Sequence, residues 1–236
     1  MKKFTHSGII IYQFENIYIN SNMYIILNGK EALVVDPNEN NEAKKFLKDN
    51  GIEKITILLT HEHFDHTMGI GWFQENYKIS TICEKECAEN IIQNIEYAPI
   101  FVNYIASTKN DFSKKKILDT FEKEFKTFSF KSDIVFENEY QFYWNRLCLK
   151  FLKIKGHSKG SCLIFLNDSI IFSGDSILNG IHIVTKLPGG NKKDFINKTI
   201  PVIESLDRNL MVFAGHGLPF VLSDVFKDDK LNVIIN

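Results

Sequence analysis

Four side chains able to bind a metal ion, His61, His63, Asp65 and His66, fall inside residues 61–66. The chain has seven histidines in all, and three of them are here. On an extended turn, His61 and His63 share one side and can bind one ion together. Asp65 and His66 leave on another side and can bind a second. Imidazole and carboxylate donors suit zinc, iron or manganese. The helical zinc-protease motif is absent, because it needs histidines at the first and fifth positions of a helix, and the fifth position from His61 is Asp65.

Such a cluster needs rigid elements to hold it. Residues 55–59 form an apolar, β-branched run that reads as a buried strand. Residues 67–76 read as a helix, with Thr67 as candidate N-cap. The cluster is therefore placed on a turn at the carboxyl end of a strand. Three further donors stand at predicted strand ends: His157 after 147–154, Asp175 after 170–173, and His216 after 210–214. Each directly follows a glycine (Gly156, Gly174, Gly215), which lets the backbone turn tightly near an ion. Asp36 closes another predicted strand before Pro37 and is suited to orienting a ligand. Glu62 points away on an alternating turn and is read as structural. Ser158, Ser161 and Ser176 are read as hydroxyls that tie down turns, with no Ser-His-Asp logic. His6 is expected to be exposed near the terminus. His182 is read as an ordinary histidine in preference to a pocket-lining one.

The remaining sequence describes the frame. The chain has 236 residues, 44% hydrophobic and 24% charged, with a formal charge of −1. That balance argues against a general nucleic-acid binder and suits a globular protein with a sizeable core. Neither an N-terminal apolar segment of signal length nor a stretch of membrane-span length is present, so a cytoplasmic protein without membrane partners is expected. Cys83, Cys87, Cys148 and Cys162 form no CxxC pair and are read as reduced, mostly buried thiols. Strands are expected at 8–13, 23–27, 32–35, 79–82, 133–136, 139–144 and 162–166. Helices are expected at 40–50, 84–95, 192–206 and 222–233. Strands outnumber helices in each half, and each half ends in helical segments, which suits two sheets packed face to face with helices outside. Residues 97–131 are rich in Phe and Tyr. They read as a helical insert, with Phe101, Tyr104 and Phe112 forming an apolar lid or pocket wall over the metals.

Residues 61–66 match the HxHxDH signature of the metallo-β-lactamase superfamily, and His157, Asp175 and His216 match its later metal positions in order. The whole chain resembles that superfamily, and Asp36 matches its early aspartate. The resemblance implies an α/β fold, a four-layer αββα sandwich spanning 1–236 as a single domain, with two divalent metal ions, zinc above all and iron or manganese otherwise, at one edge of the sheets. It also implies that His61, His63 and His157 hold the first ion, that Asp65, His66 and His216 hold the second, and that Asp175 bridges both. Gly156-His157-Ser158-Lys159-Gly160-Ser161 and Leu187-Pro188-Gly189-Gly190 are similar to elements of glyoxalase II-like hydrolases of the short bacterial branch. Val184 and Lys186 stand where that branch usually carries Arg and Asp, and the chain ends soon after His216, without the helical domain with which long members hold glutathione.

The expected reaction is attack by a metal-bridging hydroxide on a small-molecule thioester or related ester, with Asp65 as the catalytic carboxylate steering a proton to the leaving group. A lactonase and an iron-dependent persulfide dioxygenase are the alternatives.

Overall fold

A computed structural model describes residues 1–16, 18–107, 111–228 and 230–236. The side chains of Tyr104 and Phe112, two of the three residues expected to form the apolar wall, lie outside the described set. The first sheet opens with β1 (Lys2–His6), β2 (Ile9–Glu15), β3 (Asn22–Asn28) and β4 (Glu31–Val35), an antiparallel meander. Then follow α1 (Asn41–Asp49), β5 (Lys54–Leu58), α2 (Phe64–Thr67), α3 (Ile70–Asn76), β6 (Lys78–Glu84), α4 (Lys85–Ser107), α5 (Asp111–Glu124) and β7 (Ile134–Phe136). Strands β4 to β7 are parallel, and the seven strands lie in sequence order. The second sheet holds β8 (Glu139–Trp144), β9 (Leu147–Lys153), β10 (Cys162–Leu166), β11 (Ile170–Gly174), β12 (Met211–Ala214) and β13 (Phe220–Val221), in the order β13-β12-β11-β10-β9-β8.

Alternation along the strands builds the layers. Leu33 and Val35 of β4 and Leu58 of β5 pack with Phe151, Ile164, Phe172 and Phe213 of the second sheet. Their neighbours Val34, Ile55 and Ile57 face outward onto Leu47, Phe73 and Ile91 of the helices. On the far side, Leu163, Ile171 and Val212 pack against Phe195 and Ile203. Phe195 and Ile203 belong to the helical run of α6 (Lys192–Asp194), a π-helical turn (Phe195–Thr199) and α7 (Ile200–Ser205). The result is the expected αββα sandwich. At α1, Asn40 accepts a hydrogen bond from the Ala43 amide at 3.0 Å and caps the helix.

Four local expectations are corrected. Thr67 is not an N-cap: it ends α2, and its hydroxyl donates back to the His63 carbonyl at 3.0 Å, so residues 67–76 are split between α2 and α3. The helix expected at 84–95 runs on to Ser107 through Pro99. Its buried residues Ile91, Ile95, Ala98, Val102 and Ala106 recur at three- and four-residue spacing, and that apolar stripe outweighs the one hydrogen bond proline removes. No helix spans 222–233: a short 3-10 turn (Leu222–Val225) leads into the hairpin of β14 (Phe226–Lys227) and β15 (Lys230–Leu231). His6 is half-buried on edge strand β1, paired to Ile9, rather than exposed.

Candidate metal centre

The seven sequence-predicted ligands come together at one edge of the two sheets. His61 and His63 lie on the loop after β5, and Asp65 and His66 lie in the single turn of α2. His157 lies in the loop after β9, Asp175 just past β11, and His216 just past β12. The His61 ring centroid is 4.7 Å from that of His63, 4.8 Å from His157 and 4.4 Å from His66. His157 Nε2 is 3.0 Å from His63 Nδ1 and 3.7 Å from Asp175 Oδ2. His66 Nε2 is 3.3 Å from Asp65 Oδ2 and 3.4 Å from Asp175 Oδ1. His216 Nε2 is 3.5 Å from Asp65 Oδ2 and 3.4 Å from Asp175 Oδ2. The donor atoms of His61, His63 and His157 lie within 4.8 Å of one another, and so do those of Asp65, His66 and His216. Asp175 touches both sets.

The rings are oriented from behind. The Thr60 hydroxyl gives its single proton to Asp36 Oδ2 at 2.6 Å, so at 3.0 Å it accepts from His61 Nδ1. That fixes the His61 proton on Nδ1 and leaves the Nε2 lone pair free. His157 Nδ1 donates to the Val184 carbonyl at 2.8 Å, and His216 Nδ1 to the Asn20 carbonyl at 3.0 Å, so their Nε2 atoms face the cluster. Asp36 itself lies 3.4 Å from His66 Nδ1. This arrangement, with one ring nitrogen anchored and the other presented, is how histidines are aimed at an ion. Among the described residues, His61 Nε2, His63 Nε2, both His66 nitrogens and Asp175 Oδ1 are buried with no hydrogen-bond partner. Buried polar atoms are nearly always partnered. Several such atoms converging within a few Å fit a bound cation.

The charge balance differs between the two halves. Burial, with neighbouring imidazoles, lowers His61 well below the ordinary histidine range. Burial, then His63, brings His157 down to about 4. His63 is lowered by burial too. These three therefore offer neutral lone pairs at pH 7. In the other half burial works the same way but is outweighed: Asp65 and Asp175 lift His66 well above its usual value, and the same two carboxylates raise His216 to about 10. Both carboxylates are held well below their ordinary range against the cost of burial, chiefly by His66 at Asp65 and by His216 at Asp175.

The glycines act by close approach and by conformation. Gly174 sits at φ +49, and a Cβ there would lie 2.4 Å from Thr60 Oγ1. Gly215 has no unusual φ, yet a Cβ would lie 2.1 Å from Asp175 Oδ1. Two bonds close the arrangement: Ser21 Oγ donates to the Asp65 carbonyl at 2.8 Å, and Asn22 N–H joins the two sheets by donating to the Gly215 carbonyl at 2.7 Å. Thr60, Asn20, Ser21 and Val184 are contributors that the sequence reading missed. Thr60 carried a signal, being a hydroxyl beside His61. Asn20, Ser21 and Val184 carried none, since their partners are 27 to 196 residues away. His182 is exposed and lies outside the cavity lining.

Glu62 has the structural place expected of it. Its buried carboxylate accepts from Ser158 Oγ at 2.8 Å, Lys159 N at 3.1 Å and Gly160 N at 3.1 Å, which ties the His157 loop to the His61–His63 turn. Gly189 packs on the same loop, with a hypothetical Cβ 3.1 Å from Lys159 N, so the two glycine-bearing motifs meet. Replacing Glu62 with Ala strands these donors in the interior. The expected result is a loss of about 2 kcal/mol of stability in chemical denaturation, and metal affinity roughly tenfold weaker because His157 is no longer anchored.

A family model described as the metallo-beta-lactamase superfamily matches residues 18–216. The chain belongs to that superfamily. Fold and site together are those of a metallo-hydrolase of that superfamily, whose members bind divalent metals. Among its relatives is the Bacillus subtilis protein named probable metallo-hydrolase YqgX, 26% identical over 92% of this chain and 93% of that protein. A hydroxyacylglutathione hydrolase of Francisella philomiragia is 22% identical over 94% of this chain and 75% of its own. The crystal structure of TTHA1623 in a di-iron-bound form superposes with a TM-score of 0.71 at 18% identity, covering 90% of this chain and 96% of that one. Among the described residues no helix is long and apolar enough to cross a membrane.

Proposed function

We propose that the chain is a binuclear metal-dependent hydrolase that cleaves a thioester or related ester of a small molecule, as a glyoxalase II-like enzyme does. The observation that carries this reading is the convergence of the donor atoms of His61, His63 and His157, and of Asp65, His66 and His216, each set within 4.8 Å, with His61 Nε2, His66 Nε2 and Asp175 Oδ1 buried and without a hydrogen-bond partner. His61, His63 and His157 would hold one cation, and Asp65, His66 and His216 the other. Asp175 spans the two, since its oxygens reach toward His157, His66 and His216. Zinc fits this imidazole-rich set best, with iron and manganese also matching the donors.

When bound, such a pair supplies a water acidified towards about neutral pH and a Lewis acid for a carbonyl oxygen. The protein does the rest. Asp65 lines the cavity and is held ionised by His66 and His216, which both face its Oδ2. Asp65 would take a proton from the attacking water as it adds to the carbonyl and hand it to the departing thiolate or alkoxide. Phe64, Phe101 and Leu187 give the cavity an apolar wall beside the ligand cluster. In this reading residues 97–131 act as a lid within one domain, through Ile100 and Phe101. The substrate is a small molecule rather than a nucleic acid, in line with a formal charge of −1.

The test loads the purified chain with zinc, iron or manganese. Metal content is measured by mass spectrometry, and thiol release is followed from S-lactoylglutathione and simple acyl thioesters. Two metals per chain and a chelator-sensitive thiol release are expected. One iron per chain with oxygen uptake on glutathione persulfide would replace this reading with a dioxygenase. Ring opening of lactones without thioester turnover would replace it with a lactonase.

A further inference from the structure

The cavity over the metal centre has a volume of about 880 Å³. Apart from the clustered ligands, its described lining is Ile19, Phe64, Ile100, Phe101, Val184 and Leu187, with Lys186 and Asn236 as the only other polar residues. The apolar walls come from four separate parts of the chain: the loop after β2, the turn of α2, helix α4, and the loop that carries Val184 and Leu187. Phe64 and Phe101 stack with ring centroids 5.9 Å apart and planes 14° from parallel, one beside the ligands and the other on α4. Phe64 is buried and Phe101 half-buried, so the apolar wall beside Asp65 is presented mainly by Phe101. Ile100 at the rim is 67% exposed and lines the cavity mouth. A peptide-like leaving group with several charges and amides would meet two polar side chains and otherwise hydrocarbon, and burying such groups unpaired is unfavourable.

From this lining we infer that the site selects a medium-chain acyl group over a short one, with the carbonyl at the ligand cluster and the chain along Phe101 and Ile100. The inference rests on the hydrolase reading above and names its substrate class. Each added methylene buried along this wall raises kcat/KM roughly three- to fourfold until the cavity is full.

The experiment compares S-acetyl, S-butyryl and S-octanoyl thioesters of N-acetylcysteamine on the zinc-loaded chain. Binding of the products acetate and octanoate is measured in parallel by calorimetry. The octanoyl ester should exceed the acetyl ester in kcat/KM by at least about thirtyfold, the yield when three of its six added methylenes are buried, and octanoate should bind more tightly than acetate. Phe101→Ala should shrink the octanoyl-to-acetyl ratio by about tenfold. Ile100→Asp, at a position too exposed to threaten folding, should shrink it in the same direction. A flat series, a preference for acetyl, or ratios unmoved by both variants overturns the inference while leaving the hydrolase intact. If no thioester is cleaved, the hydrolase reading fails by itself. The acyl pocket is then judged on calorimetry, and equal affinity for octanoate and acetate overturns it.

Discussion

Asp175→Asn is expected to abolish occupancy of at least one cation and to lower thioester turnover by more than about a hundredfold. Changing even the outer partners of metal ligands costs roughly 10- to 100-fold in affinity or activity, and Asp175 is more central than that. Its carboxylate lies within 3.7 Å of His157, His66 and His216, so it serves both halves of the cluster. Asparagine keeps the shape and removes the charge. His66 and His216, held up by this carboxylate, then lose part of their counter-charge in a buried setting. Mass spectrometric metal content, beside thiol-release rates, reads the effect. An unchanged metal content in this variant would show that Asp175 is not a ligand.

Gly215→Ala is expected to produce nearly the same loss without removing any donor. The new methyl carbon would sit 2.1 Å from Asp175 Oδ1, 2.8 Å from His66 Cε1 and 3.0 Å from the Gly174 carbonyl carbon. The last is backbone and cannot rotate away, so Asp175 and His66 must move. Overpacking of this kind costs roughly 1–3 kcal/mol, and the displaced carboxylate no longer meets both halves. Thermal melts and metal content together check it. Gly180→Ala is the comparison. Gly180 has φ +67 but nothing within 4 Å of a Cβ, so that variant pays only backbone strain of roughly 1–2 kcal/mol and keeps its metals. Equal metal retention in the two variants would remove the close-approach argument.

Gly215, with Gly156 and Gly174, also shows what the sequence made legible. A donor directly after a glycine at a strand end could be read from residue order, and at His157, Asp175 and His216 the structure brings each donor to the cluster. The physical reason at Gly215 was not legible, because it depends on how near β11 and the α2 turn approach, not on φ. The sandwich was legible for the same local reason as the strands: residues such as Leu33 and Val34 alternate between two apolar layers. The tail was not. Leu222, Val225 and Phe226 mimic helical spacing, yet beyond the 3-10 turn the chain runs extended, and Ile183 N–H finds the Ile234 carbonyl while Asn236 N–H returns to Ile183. That pairing lies about fifty residues away in sequence and left no local trace. It stabilises the segment whose Val184 carbonyl orients His157, so the missed element bears on the site itself. At Thr67 the error had a different origin. The hydroxyl was read as starting a helix, but the turn had already begun at Phe64, because the extended backbone of His63 serves as the cap.

Anomalous scattering from zinc-loaded crystals tests the central claim most directly. Two peaks are predicted, roughly 3.5–4 Å apart, one against His61, His63 and His157 and the other against Asp65, His66 and His216, with Asp175 between them. A single peak, or metal bound away from these seven side chains, would contradict the account.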